Sequence, residues 1–107
     1  MNTNAAAKVF AELGNETRLE VLLLLIKAGS EGLSIAEIQS HLGIPLSTLS
    51  FHLLALAGVD LIARERQGRM VICRANCDLL SDAVAYLKRE CCVGVDKPAR
   101  SRKAAAG

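Results

Sequence analysis

Four thiols carry the soft chemistry of this 107-residue chain: Cys73, Cys77, Cys91 and Cys92. No two of them form Cys-x-x-Cys, and neither histidine, His41 or His52, is close to a cysteine in sequence. The spacing therefore excludes a zinc finger and a thioredoxin-type redox motif. Cys77 and Cys91 lie 14 residues apart, or roughly 21 Å along one straight helix, so they do not share an ion within one chain. A second set of groups could meet nucleic acid. Ser47, Thr48, Ser50, Phe51 and His52 fall within one short segment, and Arg64, Arg66 and Arg69 follow it. Hydroxyls donate to phosphates or base edges, a phenyl ring can contact a thymine methyl, and guanidinium groups neutralise phosphate.

Punctuation places these groups on elements. Five helices are expected. The first spans Thr3 to Leu13 and ends at Gly14; the second spans Glu16–Ala28, between Asn15 as cap and Gly29 as stop. Leu19, Leu22, Leu23 and Ile26 keep helical spacing in the second, and Val21, Leu24 and Leu25 make it apolar nearly all round, as expected of a central core helix. Ser34-Ile35-Ala36-Glu37 forms a capping box, with Leu33 and Ile38 set as a hydrophobic staple, and opens a third helix ending at Leu42. A fourth runs over about Leu46–Ala57 and stops at Gly58, with Leu46, Leu49, Leu53 and Leu56 as its inward stripe. At 100° per residue, Ser47, Thr48 and Phe51 then point outward, with Ser50 and His52 on the flanks. Leu61–Arg66 and Arg69–Ala75, around Gln67-Gly68, read as a β-hairpin. A fifth helix starts at Asn76 or Asp78 and runs to about Cys92, with Leu80, Val84, Leu87 and Cys91 on one stripe. The fold class is thus mainly α with a small β-hairpin: a winged helix-turn-helix of five helices and a two-stranded wing. Residues 1–95 are expected to form one folded domain, and 96–107 a flexible basic tail.

Composition narrows the functions further. Apolar residues make up 51% of the chain and charged residues 22%, enough for a packed core and against wholesale disorder. Phe10, Phe51 and Tyr86 are the only aromatics, which argues against binders that stack single-stranded bases on aromatic platforms. The longest apolar run, Val21–Ile26, is far too short for a membrane span. The N-terminal segment has no secretory pattern, so a cytoplasmic protein with reduced thiols is expected. The net charge of +2 is unevenly spread. Residues 1–60 carry three bases (Lys8, Arg18, Lys27) against six acids, whereas 61–75 carry four arginines against Glu65 alone. No Lys or Arg lies between Ala28 and Arg64, so the fourth helix must draw its phosphate attraction from its own N-terminal dipole and from the wing.

The run Leu42-Gly43-Ile44-Pro45-Leu46-Ser47-Thr48-Leu49-Ser50-Phe51-His52-Leu53 resembles the turn and recognition helix of ArsR/SmtB-type metalloregulatory repressors. The opening Leu13-Gly14-Asn15-Glu16-Thr17-Arg18-Leu19 and the wing Arg66-Gln67-Gly68-Arg69 resemble the same family, and the likeness covers about residues 8–92. Pro45 departs from it, standing where relatives commonly place a polar cap. The resemblance implies a homodimeric repressor of duplex operator DNA that needs no cofactor for binding, with Ser47, Thr48, Ser50, Phe51, His52, Arg64, Arg66 and Arg69 as the DNA contacts. The family's arsenic-binding Cys-x-Cys of the third helix is missing here, and so are the histidines by which zinc-sensing members bind metal on the last helix. The adjacent Cys91-Cys92 pair resembles that of some arsenic-responsive relatives, and thiolates suit trivalent arsenic, inorganic or methylated, or antimony. Members pack their last helices antiparallel across the dimer. That packing would bring Cys91 and Cys92 of one chain towards Cys73 of the other, with Cys77 the less favoured third ligand. Two buried cysteines at a polar helix end otherwise have no packing reason. A thiol-based redox-sensing repressor of the same fold is the alternative. A cysteine-dependent enzyme lacks a placed acid or base partner, and a winged helix serving protein contacts alone would show no salt-dependent duplex binding.

Overall fold

Short polar side chains start four of the five helices. In the computed structural model, which describes residues 1–96, Asn2 accepts from the Ala5 N–H to open α1 (Thr3–Glu12) and Asn15 from the Arg18 N–H to open α2 (Glu16–Ala28). Ser34 and Glu37 close the expected capping box at the head of α3 (Ile35–Leu42), and Asn76 accepts from Leu79 to open α5 (Cys77–Arg89). Each such oxygen satisfies one of the N–H groups that a first helical turn leaves unpaired. α4 (Leu46–Gly58) differs: its N-cap is Pro45, with no side-chain hydrogen bond. The bounds of α2 and α3 match the spacing. Gly58 does not stop α4 but is its last residue, α1 ends at Glu12 rather than Leu13, and α5 ends at Arg89 rather than Cys92.

The wing is β2 (Ile62–Gln67) against β3 (Met70–Ala75), antiparallel, with Gln67 opposite Met70. The two-residue turn is therefore Gly68-Arg69, one step later than the expected Gln67-Gly68, and Gly68 takes the left-handed φ of 63° that the tight turn needs. A third strand that sequence spacing does not reveal, β1 (Leu33–Ser34), pairs with β3 and places Leu33 opposite Cys73. The sheet order is β1-β3-β2. Two residues are too few to display a strand period.

The core lies where α2, α3 and α4 meet the base of the sheet. Val21, Leu22 and Leu25 of α2, Ile38 of α3, Leu49, Leu53 and Leu56 of α4, Leu61, Ile62 and Cys73 are all buried. α2 buries one face only. Leu19 and Leu23 are exposed, so the expectation of burial nearly all round is corrected. Leu46, expected inward, is 52% exposed because it opens α4 beyond the edge of the core. α3 and α4 meet at 116°, the sharp corner of a helix-turn-helix, and the sheet follows as the wing. α1 packs on α5, where Ala6, Val9 and Ala83 are buried and the Thr3 and Tyr86 hydroxyls hydrogen-bond. Among the described residues no single helix is long and apolar enough to cross a membrane. The basic tail from Lys97 onward lies outside the described residues.

Candidate DNA interface and thiol groups

α4 turns a mixed hydroxyl and apolar face to solvent. Ser47, Thr48, Ser50 and Phe51 are exposed, Phe51 by 63%. Leu54, one turn beyond Ser50 and Phe51, is 61% exposed and belongs to the same outward face. Its phase, three residues after Phe51, is the available signal, but an apolar residue in a leucine-rich helix reads first as core. Because Pro45 supplies no capping oxygen, the first-turn N–H groups of α4 have no side-chain acceptor. Such a helix start, with its positive dipole end, suits a phosphate oxygen.

His52 is a correction. It does not flank the outward face but is 6% exposed, and its Nδ1 accepts a hydrogen bond from Arg18 Nε at 3.3 Å. Burial, and then the nearby Arg18 charge, hold its pKa below the ordinary imidazole value. The neutral ring is what this geometry requires, since an accepting nitrogen must be unprotonated. Arg18 is completed by an ion pair from Nη1 to Glu12 Oε1 at 2.5 Å.

In the wing, Arg64, Arg66 and Arg69 are all exposed. Alternation puts Arg64 and Arg66 on one face of β2, while Glu65 lies on the other. Arg74, the fourth base of this basic segment, is already engaged: Nη1 pairs with Glu65 at 2.7 Å and Nε donates to the Ser30 carbonyl at 2.8 Å. The Arg74 and Gln67 side chains hold the Glu65 carboxyl below its ordinary pKa. The wing thus offers three arginines that make no ion pair among the described residues.

The thiols divide by burial. Cys73 is fully buried at the centre of the sheet, and burial pushes its thiol pKa up, against a smaller opposing effect of Arg64. Cys77, Cys91 and Cys92 are exposed. The expected burial of the Cys91-Cys92 pair is therefore corrected: α5 stops before them, and they occupy a turn in which the Cys91 N–H bonds to the Lys88 carbonyl and Cys92 has a left-handed φ of 61°. Among the described residues, no three His, Cys, Asp or Glu side chains of one chain converge on a common point.

Comparison with known proteins agrees with this geometry. Residues 13–65 match the family model described as a helix-turn-helix domain. An ArsR-like transcriptional regulator from Rhodococcus sp. RHA1 is similar at 30% identity with a TM-score of 0.71, over 80% of this chain and 78% of that one. HlyU from Vibrio cholerae N16961 is similar at 26% identity with a TM-score of 0.65, over 86% of this chain and 99% of that one. The homodimeric winged helix-turn-helix DNA-binding domain of Mb0332 from Mycobacterium bovis, a possible ArsR-family regulator, is similar at 29% identity with a TM-score of 0.65, over 81% of each chain. No curated protein matches the sequence. With the helix-turn-helix, the exposed face of α4 and the basic wing in place, the chain belongs to the ArsR family of winged helix-turn-helix transcriptional regulators, which bind DNA and are not enzymes.

Proposed function

We propose that the protein is a homodimeric repressor that releases its operator when trivalent arsenic, inorganic or methylated, or antimony is bound by cysteine thiolates. The observation that carries this reading is the exposed Cys91-Cys92 pair in a regulator whose DNA face is built from other residues. Soft metalloid ions take two or three thiolates. Cys91 and Cys92 supply two. Cys77, exposed at the head of α5, is the third from the second subunit in an antiparallel dimer. Cys73 is a poorer third ligand than its strand position suggests, because its thiol is sealed in the core and held protonated. Two observations support the dimer: the exposed Val84 and Leu87 on α5, and the homodimeric state of the similar Mycobacterium bovis domain. In each subunit Ser47, Thr48, Ser50 and Phe51 read the duplex while Arg64, Arg66 and Arg69 meet phosphates. A coupling of about 1–3 kcal/mol between the two sites suffices for release by 5- to 150-fold.

The test uses a duplex selected by the protein from a random pool and labelled for fluorescence anisotropy. Arsenite, methylarsenite and antimonyl tartrate are titrated into the wild type and each Cys→Ser variant. Cys91→Ser and Cys92→Ser should keep DNA affinity and lose release, Cys77→Ser should weaken it, and Cys73→Ser should retain it. A wild type that holds its duplex against all three metalloids overturns the reading. If hydrogen peroxide alone releases the duplex and dithiothreitol restores binding, the regulator senses oxidation instead. In that case two thiols give up two protons and two electrons to the peroxide and leave a disulfide and two waters.

A further inference from the structure

Arg18 joins three helices through one side chain. Its backbone is fixed as the third residue of α2, where its N–H donates to the Asn15 cap at 2.9 Å. From there the side chain, 11% exposed, reaches in two directions. Nη1 pairs with the Glu12 carboxylate at 2.5 Å and lies 3.5 Å from the Glu12 carbonyl, at the end of α1. Nε donates to His52 Nδ1 at 3.3 Å, on the inner side of α4. The guanidinium carbon also lies 5.5 Å from the centre of the Phe51 ring, and that ring meets His52 edge-on at 5.5 Å and 65°.

An ion pair between α1 and α2 would need only Glu12. The reach to α4 has a different consequence. Phe51 is the largest side chain on the reading face and is mostly exposed. An exposed phenyl with no neighbour exchanges between rotamers within nanoseconds. A cation over its face and an aromatic edge beside it select one pose. The His52 bond fixes the guanidinium in that place, and the Glu12 pair supplies the anchor at the other end.

We infer that Arg18 is a positioning residue for DNA reading: it sets the pose of the Phe51 ring on the face of α4 and touches no DNA itself. The inference rests on α4 being the recognition helix. It assigns sequence discrimination in part to a residue of α2 that lies outside the reading face. Arg18 contributes selectivity for the preferred duplex, and the general attraction for phosphate comes from the wing.

The experiment compares two duplexes of equal length: one selected by the wild-type protein from a random pool, and a scrambled version of it. Affinities are measured for the full chain over a range of salt. Arg18→Lys keeps the charge and the reach to Glu12 but loses the planar fork. It should lower the ratio of selected to scrambled affinity by about 3- to 10-fold, the range of one aromatic–cation contact, with scrambled affinity and its salt slope unchanged. Phe51→Ala should lower the ratio similarly, and the double variant should lose no more than either single one. Losses that multiply in the double variant overturn the inference, as does an unchanged ratio in Arg18→Lys. A smaller salt slope in Arg18→Lys shows instead that Arg18 binds phosphate directly. If Phe51→Ala leaves the ratio intact, the reading of α4 fails and the inference fails with it, an outcome distinct from the others. Should Arg18→Lys fail to fold, Glu12→Gln releases the anchor while keeping Arg18, and the same fall in ratio is expected.

Discussion

Cys73 and the three other thiols occupy environments that chemistry separates at once. Only Cys73 is buried, with its pKa raised by burial, and a protonated, enclosed thiol is a slow nucleophile. A native sample treated with an aromatic disulfide reagent should therefore release three equivalents promptly and the fourth only in denaturant, with Cys73→Ser abolishing the slow phase. Four fast equivalents would mean that the sheet opens readily around Cys73. The ring of His52 gives a second prediction. Its folded-state pKa is depressed, chiefly by burial and then by Arg18, so the folded chain binds fewer protons than the unfolded one around neutrality. The stability contributed by neutral His52 is complete above the unfolded imidazole value of about 6.5 and is lost as pH falls below it. Denaturation midpoints should fall from pH 7.5 to 5.5 in the wild type, and less so in His52→Gln. Equal slopes in the two proteins would remove His52 as the cause.

The elements differ in how far the sequence alone reveals them. Caps and glycines mark helix ends by chemistry local to the chain, so α2 and α3 are readable to the residue and the capping box of Ser34 and Glu37 forms as expected. The end of α5 carries no such mark, and spacing alone puts Cys91 and Cys92 inside a helix that stops at Arg89. The inward set of α4 is only partly legible. Leu46, Leu49, Leu53, Leu54 and Leu56 offer more leucines than the core takes, and the contact with α2 decides that Leu46 and Leu54 stay out. His52 is drawn inward by Arg18, a residue 34 positions away, which no local period reports. β1 exists only through its partner β3, and it makes Gly32 a test of the sheet. Gly32 has φ 69°, and a Cβ there would stand 2.5 Å from the Cys73 carbonyl oxygen. Gly68 has φ 63° but open space around it. Gly68→Ala should cost about 1–2 kcal/mol for the left-handed backbone alone. Gly32→Ala should cost clearly more in urea unfolding, since β1 must also part from β3. In the wing, Arg66→Ala and Arg69→Ala should each weaken selected and scrambled duplexes alike. Each should reduce the slope of log K against log salt by about 0.9 for every phosphate left without its arginine. Thr48→Ala should instead narrow the difference between the two duplexes.

At the scale of the molecule, the exposed apolar residues of α5 and the exposed face of α4 lie on different helices, and the proposed dimer would use both. α5 buries Ala83 against α1 but leaves Val84 and Leu87 exposed by 43% and 56%, with Leu80 half-covered beside them. These residues follow the i, i+4, i+7 spacing of a helix seam, and a two-fold partner covers such a seam with its own copy. Dimerisation of this kind would present two α4 helices and two wings to one duplex. Linking two weak binding surfaces in this way raises overall affinity by about 10²–10⁴ with the same groups on the DNA. Val84→Glu combined with Leu87→Glu introduces four carboxylates into a two-fold interface while leaving α4 and the wing untouched. The variant should sediment as a folded monomer, with an unchanged helical signal, and lose at least about 100-fold in affinity for the selected duplex. Its residual binding should approach that of the wild type for the scrambled sequence, because one α4 and one wing still meet the phosphates. A wild type that sediments as a monomer at micromolar concentration would end the proposal. So would a monomeric variant with full affinity, since a single subunit would then carry all of the recognition.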